Sequence, residues 1–188
     1  RIQLGTGWYT PAGVIHAPGS YLTYEPQWNS DVNSVYENVA SGEVYSKDFL
    51  NENCPEDKKD DIDYIFSLLD WEKNIDPDYR KHYFRPPITI DSAPDGCIEK
   101  WVVYANDYVG AKELTVLPGQ EVTITDGAAY GLILTQGHGT LGVHECETPT
   151  LLRFGQLSQD EFYVTETAAK NGVRIRNTSR VEPLVMLK

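Results

Sequence analysis

Two side chains near the start of the chain have the chemistry to act on a small polar molecule. His16 follows the Pro11-Ala12-Gly13 turn and lies between Ile15 and Ala17, and Glu25 stands further on between Tyr24 and Pro26. An imidazole can hold a divalent metal or make a hydrogen bond inside a core, and a carboxylate can take a proton or form an ion pair at an edge. A metal that polarises substrate oxygens, next to a carboxylate base, would move a proton between neighbouring carbons. One histidine cannot hold zinc alone, because such sites use three or four protein ligands. Tyr21, Tyr24 and Trp28 would form the walls of a cavity around Glu25.

Other chemistries find less support. His138 and His144, near Glu145 and Glu147, would make a second metal centre only on one wall of a cavity, and the Gly137-His138-Gly139 run reads as an exposed hairpin tip. Arg153 could reach an anionic ligand or pair with Asp160 and Glu161. Gly5-Thr6-Gly7 lacks the third glycine and the helix that cradle phosphates, so no nucleotide cofactor is expected. There is no Gly-x-Ser-x-Gly elbow, and no cysteine has a histidine at a known catalytic spacing.

The elements that must position these residues follow from composition and pattern. The chain has 188 residues, with 28 Asp+Glu against 16 Lys+Arg and a net charge of −12, which argues against a nucleic-acid partner. No window reaches the roughly 18 apolar residues of a membrane-spanning helix, so no membrane partner is expected. Cys54, Cys97 and Cys146 form no CxxC pair and read as reduced thiols, which places the chain in the cytoplasm. Because the chain starts at Arg1 with no polar lead-in, it is expected to be a piece of a longer polypeptide.

Three segments are expected. Residues 1–45 hold short strands, with Val14-Ile15-His16 and Tyr21-Leu22-Thr23-Tyr24 rich in β-formers and separated by turn residues. Residues 46–98 form a helical and loop insertion, in which Ile62, Ile65, Phe66 and Leu69 repeat with the spacing of one buried helical face. The acids from Glu56 to Asp63 lie on its solvated side. Residues 99–188 hold many short apolar runs, such as Trp101–Tyr104, Leu114–Leu117, Val122–Ile124, Leu132–Leu134, Phe162–Val164, Val173–Ile175 and Leu184–Leu187. Each run is bounded by a turn, which predicts a jelly-roll barrel.

The Leu114–Gln120 run with its Pro118-Gly119 turn, the Gly137–Gly142 stretch and the Gly155 to Val164 strand resemble a cupin. The Pro11-Ala12-Gly13-Val14-Ile15-His16-Ala17 run, followed by Ser20, Glu25 and Ser30-Asp31, is similar to a segment of type I phosphomannose isomerases. The resemblance implies a mainly β fold, a cupin-type jelly roll with a small helical insertion, preceded by the closing strands of another cupin barrel. It implies a bound divalent metal, zinc, with His16 as a ligand and Glu25 near the substrate as base. A sugar or sugar phosphate would be contacted by Ser20, Tyr24, Trp28 and Arg153, and would undergo aldose–ketose isomerisation. The family's other zinc ligands precede its histidine, and Val32 and Val35 stand where it carries an asparagine and an arginine. A missing N-terminal part, a partner chain or a homo-oligomer would therefore have to complete the site. The alternative reading is a cupin that binds carbohydrate or serves assembly without catalysis.

Overall fold

The order in which charged and apolar residues alternate decides how residues 86–188 fold. A computed structural model of the chain describes residues 3–17, 19–30 and 32–188, so Asp31 of the Ser-Asp pair lies outside the described residues. It groups them into two compact units, Trp8–Arg85 and a unit of Arg1–Gly7 with Pro86–Lys188. Among the described residues no helix is long and apolar enough to cross a membrane.

In the first of these units the Pro11-Ala12-Gly13 turn is built as the sequence suggests. Val14 N donates to Pro11 O at 3.2 Å, and Gly13 takes a φ of +77°, the conformation a type II turn reserves for glycine. The turn is pinned to the segment around Asp70. Gly13 O accepts from Asp70 N at 2.9 Å and from Asn74 Nδ2 at 2.7 Å, and Ile15 N donates to Asn74 Oδ1 at 2.9 Å. A Cβ at Gly13 would sit 2.8 Å from Asp70 N, so only glycine allows this approach.

The runs Val14–His16 and Tyr21–Tyr24 do not form the expected strands. Within this unit the residue pairs Val39–Ala40 and Glu43–Val44 make a short antiparallel ladder instead. The helices are α1 (Asp48–Asn51), α2 (Ile62–Ser67), α3 (Trp71–Asn74) and α4 (Tyr79–Tyr83). The apolar period from Ile62 to Leu69 is therefore cut short. Asp61 caps α2 by accepting from Tyr64 N, and Asp70 starts a new helix by accepting from Lys73 N, so only Ile65 and Leu69 are buried. Among the acids, Asp60, Asp61 and Glu56 pair at the surface with Lys47, Lys58 and Lys59.

The other unit is mainly β, a nine-stranded sheet that curls around its core, in keeping with the expected jelly roll. Its strands are β1 (Ile88–Thr89), β2 (Cys97–Val103), β3 (Ala111–Val116), β4 (Glu121–Ile124), β5 (Tyr130–Leu141), β6 (His144–Thr148), β7 (Glu161–Val164), β8 (Val173–Asn177) and β9 (Leu184–Leu187). The helix α5 (Glu166–Asn171), capped by Thr165, lies between β7 and β8 in sequence. The strand order is β1-β2-β3-β9-β5-β8-β4, with β6 and β7 also on β5. The first half of β5 pairs with β9 and β7, and its second half pairs with β6 and β8. One strand thus carries the sheet around the core.

Two glycines make that turn of direction possible. A Cβ on Gly137 would lie 2.6 Å from Pro183 O, and one on Gly139 would lie 2.1 Å from Arg176 O. Backbone passes where a side chain would otherwise stand, and the register shifts at Val185/Met186 on the facing strand. Gly137-His138-Gly139 is therefore mid-strand and not a hairpin tip; the tip follows at Gly142, where φ is +61°. The core beneath holds Leu114, Val116, Val122, Ile124, Leu132, Leu134, Leu141, Cys146, Ile175, Leu184 and Met186. Each large aliphatic side chain buried there contributes about 1.5–3 kcal/mol. Asn177, also buried, ties β3 to the turn before β9 through Val116 O at 3.0 Å and Glu182 O at 2.8 Å.

Candidate functional site

Side chains alternate along a strand, so the inward positions of the jelly roll can be followed to its end. Glu99 and Trp101 follow Cys97, Lys112 precedes Leu114, Asp126 follows Ile124, Tyr130 precedes Leu132 and Lys188 follows Met186. Each of these polar or amphipathic residues lies two positions from an inward-facing one. The register brings them together, because Trp101 faces Lys112 across the ladder and Lys112 and Lys188 exchange backbone hydrogen bonds at 2.7 and 2.9 Å. One end of the interior is apolar, and the other is ionic.

The ionic end contains two cations and two anions. Lys188 Nζ lies 2.6 Å from Glu99 Oε1 and 2.5 Å from Asp126 Oδ2, while Lys112 Nζ lies 3.0 Å from Asp126 Oδ1 and 3.4 Å from Glu99 Oε1. The Lys188 side chain is only 3% exposed and that of Glu99 8%. The formal charges cancel. Aromatic rings complete the enclosure, with Lys112 Nζ 4.9 Å from the Trp101 ring centroid and Lys188 Nζ 5.3 Å from that of Tyr130.

The protonation states follow from this packing. Burial would raise the Asp126 carboxyl, but hydrogen bonds and charge from Lys188 and Lys112 outweigh it and hold the group below the usual carboxylate range. Burial would likewise lower Lys112, yet Asp126 and Glu99 keep its ammonium charged above the usual range. The Tyr130 phenol is pushed up to about 12, first by burial and then by the negative charges of Asp126 and Glu99. Its buried hydroxyl has no hydrogen-bond partner among the described residues.

Outside this cluster lies a hollow of about 520 Å³, lined among others by Trp101, Tyr104, Asn106, Asp107, Tyr108 and Gly110. The loop from β2 to β3 forms its rim and is held by Asn106. The Asn106 Oδ1 accepts from Tyr108 N and Val109 N, and its Nδ2 donates to Val109 O, all at 2.9 Å. The Tyr104 hydroxyl donates to Pro86 O at 2.6 Å. Ala105 adopts a φ of +55°, a left-handed conformation that costs a non-glycine residue about 1 kcal/mol or more. Trp101 connects hollow and interior, because Lys112 sits over its ring and the residue remains 37% exposed.

The residues expected to form a site are arranged otherwise. His16 is exposed, and its Nδ1 lies 3.0 Å from Val14 O. A carbonyl can only accept, so Nδ1–H is the donor in this contact and Nε2 is the ring nitrogen left outside it. Glu25 is exposed and accepts from Thr23 Oγ1 at 3.3 Å, and no hydrogen bond or ion pair joins it to His16. Ser20, Tyr24 and Trp28 are exposed on the same segment. Arg153 is exposed in the jelly-roll unit with no side-chain ion pair among the described residues, and Asp160 is bonded by Ser158 instead. His138 Nδ1 is bonded to Thr178 Oγ1 at 2.8 Å.

Among the described residues no three His, Cys, Asp or Glu side chains gather as metal ligands. His16 could offer a metal one ring nitrogen at most, and the described residues supply no complete ligand set around it. Sequence reasoning missed Glu99, Lys112, Asp126, Tyr130 and Lys188. The signal that would have found them is a charge or hydroxyl one strand step beyond an inward apolar residue, repeated on five strands or strand ends.

No family model matches the chain, and no curated protein matches it. Among solved structures it is similar to the capsular polysaccharide assembling protein CapF from Staphylococcus aureus, and to CapF with the inhibitor 3-isopropenyl-tropolone. Each is 11% identical with a TM-score of 0.33, and the match covers 55% of this chain and 30% of the CapF chain.

The ionic end predicts an acid-labile jelly roll. A carboxyl whose pKa is lowered by folding adds stability that is complete above its unfolded value near 4 and is lost as pH falls through the folded value. Denaturant titrations of the protein should therefore show stability falling below about pH 4, and Asp126→Asn should be less stable at pH 7 with a flatter acid limb. An unchanged acid limb in Asp126→Asn would show that this carboxylate is not held by the lysines.

Proposed function

We propose that this chain is a carbohydrate-binding cupin whose jelly-roll unit takes a small sugar in the hollow over Trp101. The observation that carries this reading is the hollow itself. Its volume of about 520 Å³ falls in the range of small-molecule sites, and its lining combines Trp101, Tyr104 and Tyr108 with the polar Asn106–Asp107 turn. Aromatic faces pack against the C–H faces of a sugar ring while neighbouring polar groups take its hydroxyls. The loop that presents them is already fixed by Asn106, so little ordering cost falls on binding. The inward end is filled by the ion cluster, which directs a ligand to the outer hollow. A cytoplasmic setting belongs to the same proposal, supported by three free thiols.

Binding is the direct test. Titrating mannose, glucose and galactose while following the protein's NMR resonances should give saturable shifts for one of them, centred on Trp101 and the 104–110 loop. Trp101→Ala should weaken that affinity about tenfold or more, since aromatic anchors carry much of such binding energy. Unaltered affinity in Trp101→Ala would move the ligand elsewhere.

A second reading is favoured by the geometry of His16. An imidazole whose Nδ1–H is bonded to a backbone carbonyl presents Nε2 in the manner of metal-ligating histidines. On this reading the chain is part of a zinc-dependent aldose–ketose isomerase acting on a sugar phosphate such as mannose 6-phosphate, with Glu25 as the proton-transferring carboxylate. Zinc, when bound, would polarise the substrate oxygens. His16 would supply one ligand, and the remaining ligands would come from an N-terminal part, a partner chain or a second copy. A preparation carrying that complement should hold about one zinc per site, and His16→Ala should lose metal and turnover together. Full zinc stoichiometry in His16→Ala would reject the histidine as a ligand.

A further inference from the structure

We infer that the hollow over Trp101 selects uncharged sugars and rejects their phosphate esters. This inference rests on the carbohydrate-binding reading and assigns the ligand class at the same site. The charge census of the lining carries it. Of the residues lining the hollow, Asp107 alone has a side chain of a charged type, and it is exposed. The neighbouring cation, Lys112, is already committed, with its ammonium against Asp126 at 3.0 Å and Glu99 at 3.4 Å. Lys188 is committed to the same two carboxylates and is almost wholly buried. The cluster behind Trp101 therefore presents no net positive charge to a ligand, and the whole chain carries −12.

A phosphate ester would bring about two negative charges toward a lone carboxylate. At a separation near 8 Å in a wet, partly open site, the repulsion corresponds to roughly a tenfold loss in affinity at low salt. No arginine or lysine of the lining offsets it. A neutral sugar meets the opposite situation, because an ionised carboxylate accepts strong hydrogen bonds from hydroxyl groups. Asp107 is well held for this. It lies between Asn106 and Tyr108, in a turn closed by hydrogen bonds from Tyr108 N and Val109 N to Asn106 Oδ1.

The experiment compares mannose with mannose 6-phosphate on the whole protein, by NMR titration at about 20 mM and 500 mM salt, with parallel glucose and glucose 6-phosphate arms. The expected result is that the neutral sugar binds roughly tenfold more tightly at low salt, that the gap narrows at high salt, and that Asp107→Lys closes or reverses it. Equal or tighter binding of the phosphate ester by the unmodified protein would overturn the selectivity while leaving the hollow as the site. Shifts at the 104–110 loop with neither sugar nor ester would overturn the carbohydrate reading, and the selectivity would fall with it. A gap that Asp107→Lys leaves unchanged would also overturn the inference, because its source would then lie elsewhere.

Discussion

The mutual neutralisation of Glu99, Asp126, Lys112 and Lys188 is the constraint on which the jelly-roll unit depends. Removing an ion from water costs several kcal/mol even after relaxation, so none of these four could be tolerated inward alone. Together they offset one another's charge as ion pairs at distances from 2.5 to 3.4 Å. The four side chains come from β2, β3, the end of β4 and the end of β9. Their charges can cancel only when those segments are in register. The cluster therefore specifies strand pairing as well as filling space, and its aromatic neighbours Trp101 and Tyr130 shield it from solvent.

This arrangement also explains where a ligand can go. The interior is packed with aliphatic side chains at one end and a neutral ion cluster at the other. The hollow lies outside, at the β2–β3 loop, and Trp101 belongs to both. Its ring carries Lys112 over it and lies against Gly110, where an added Cβ would come within 3.3 Å of the indole. A small residue at 110 thus leaves Trp101 its position, and the stacking surface is set by the interior cluster as much as by the loop.

Much of the strand layout was legible from the sequence, because runs such as Leu114–Val116, Val122–Ile124, Leu132–Leu134 and Leu184–Leu187 alternate or are bounded by turns. The length of β5 was not, since Gly137 and Gly139 look like turn residues and reveal their role only when Pro183 O and Arg176 O are seen to approach them. The helix from Ile62 to Leu69 was cut by tertiary demands on Asp70, which caps α3 and also donates from its backbone to Gly13. That same contact accounts for the Pro-Ala-Gly turn ahead of His16, whose glycine was visible but whose partner was not. Arg153 was expected to pair with Asp160 or Glu161 on proximity in sequence, and Asp160 is taken by Ser158. Nothing in the sequence alone marks the ion cluster, because each charged member reads by itself as an ordinary surface charge near a strand end.

Two buried charges, Glu99 and Lys188, and two half-buried ones, Lys112 and Asp126, hold the jelly-roll unit by cancelling one another, and a double-mutant cycle between Lys188 and Glu99 probes this coupling. Lys188→Met should destabilise the protein by about 3–5 kcal/mol, because it leaves the buried Glu99 and the half-buried Asp126 under-compensated, and adding Glu99→Gln should recover much of that loss. Additive losses from the two substitutions, or a loss under about 1 kcal/mol in Lys188→Met, would contradict the account.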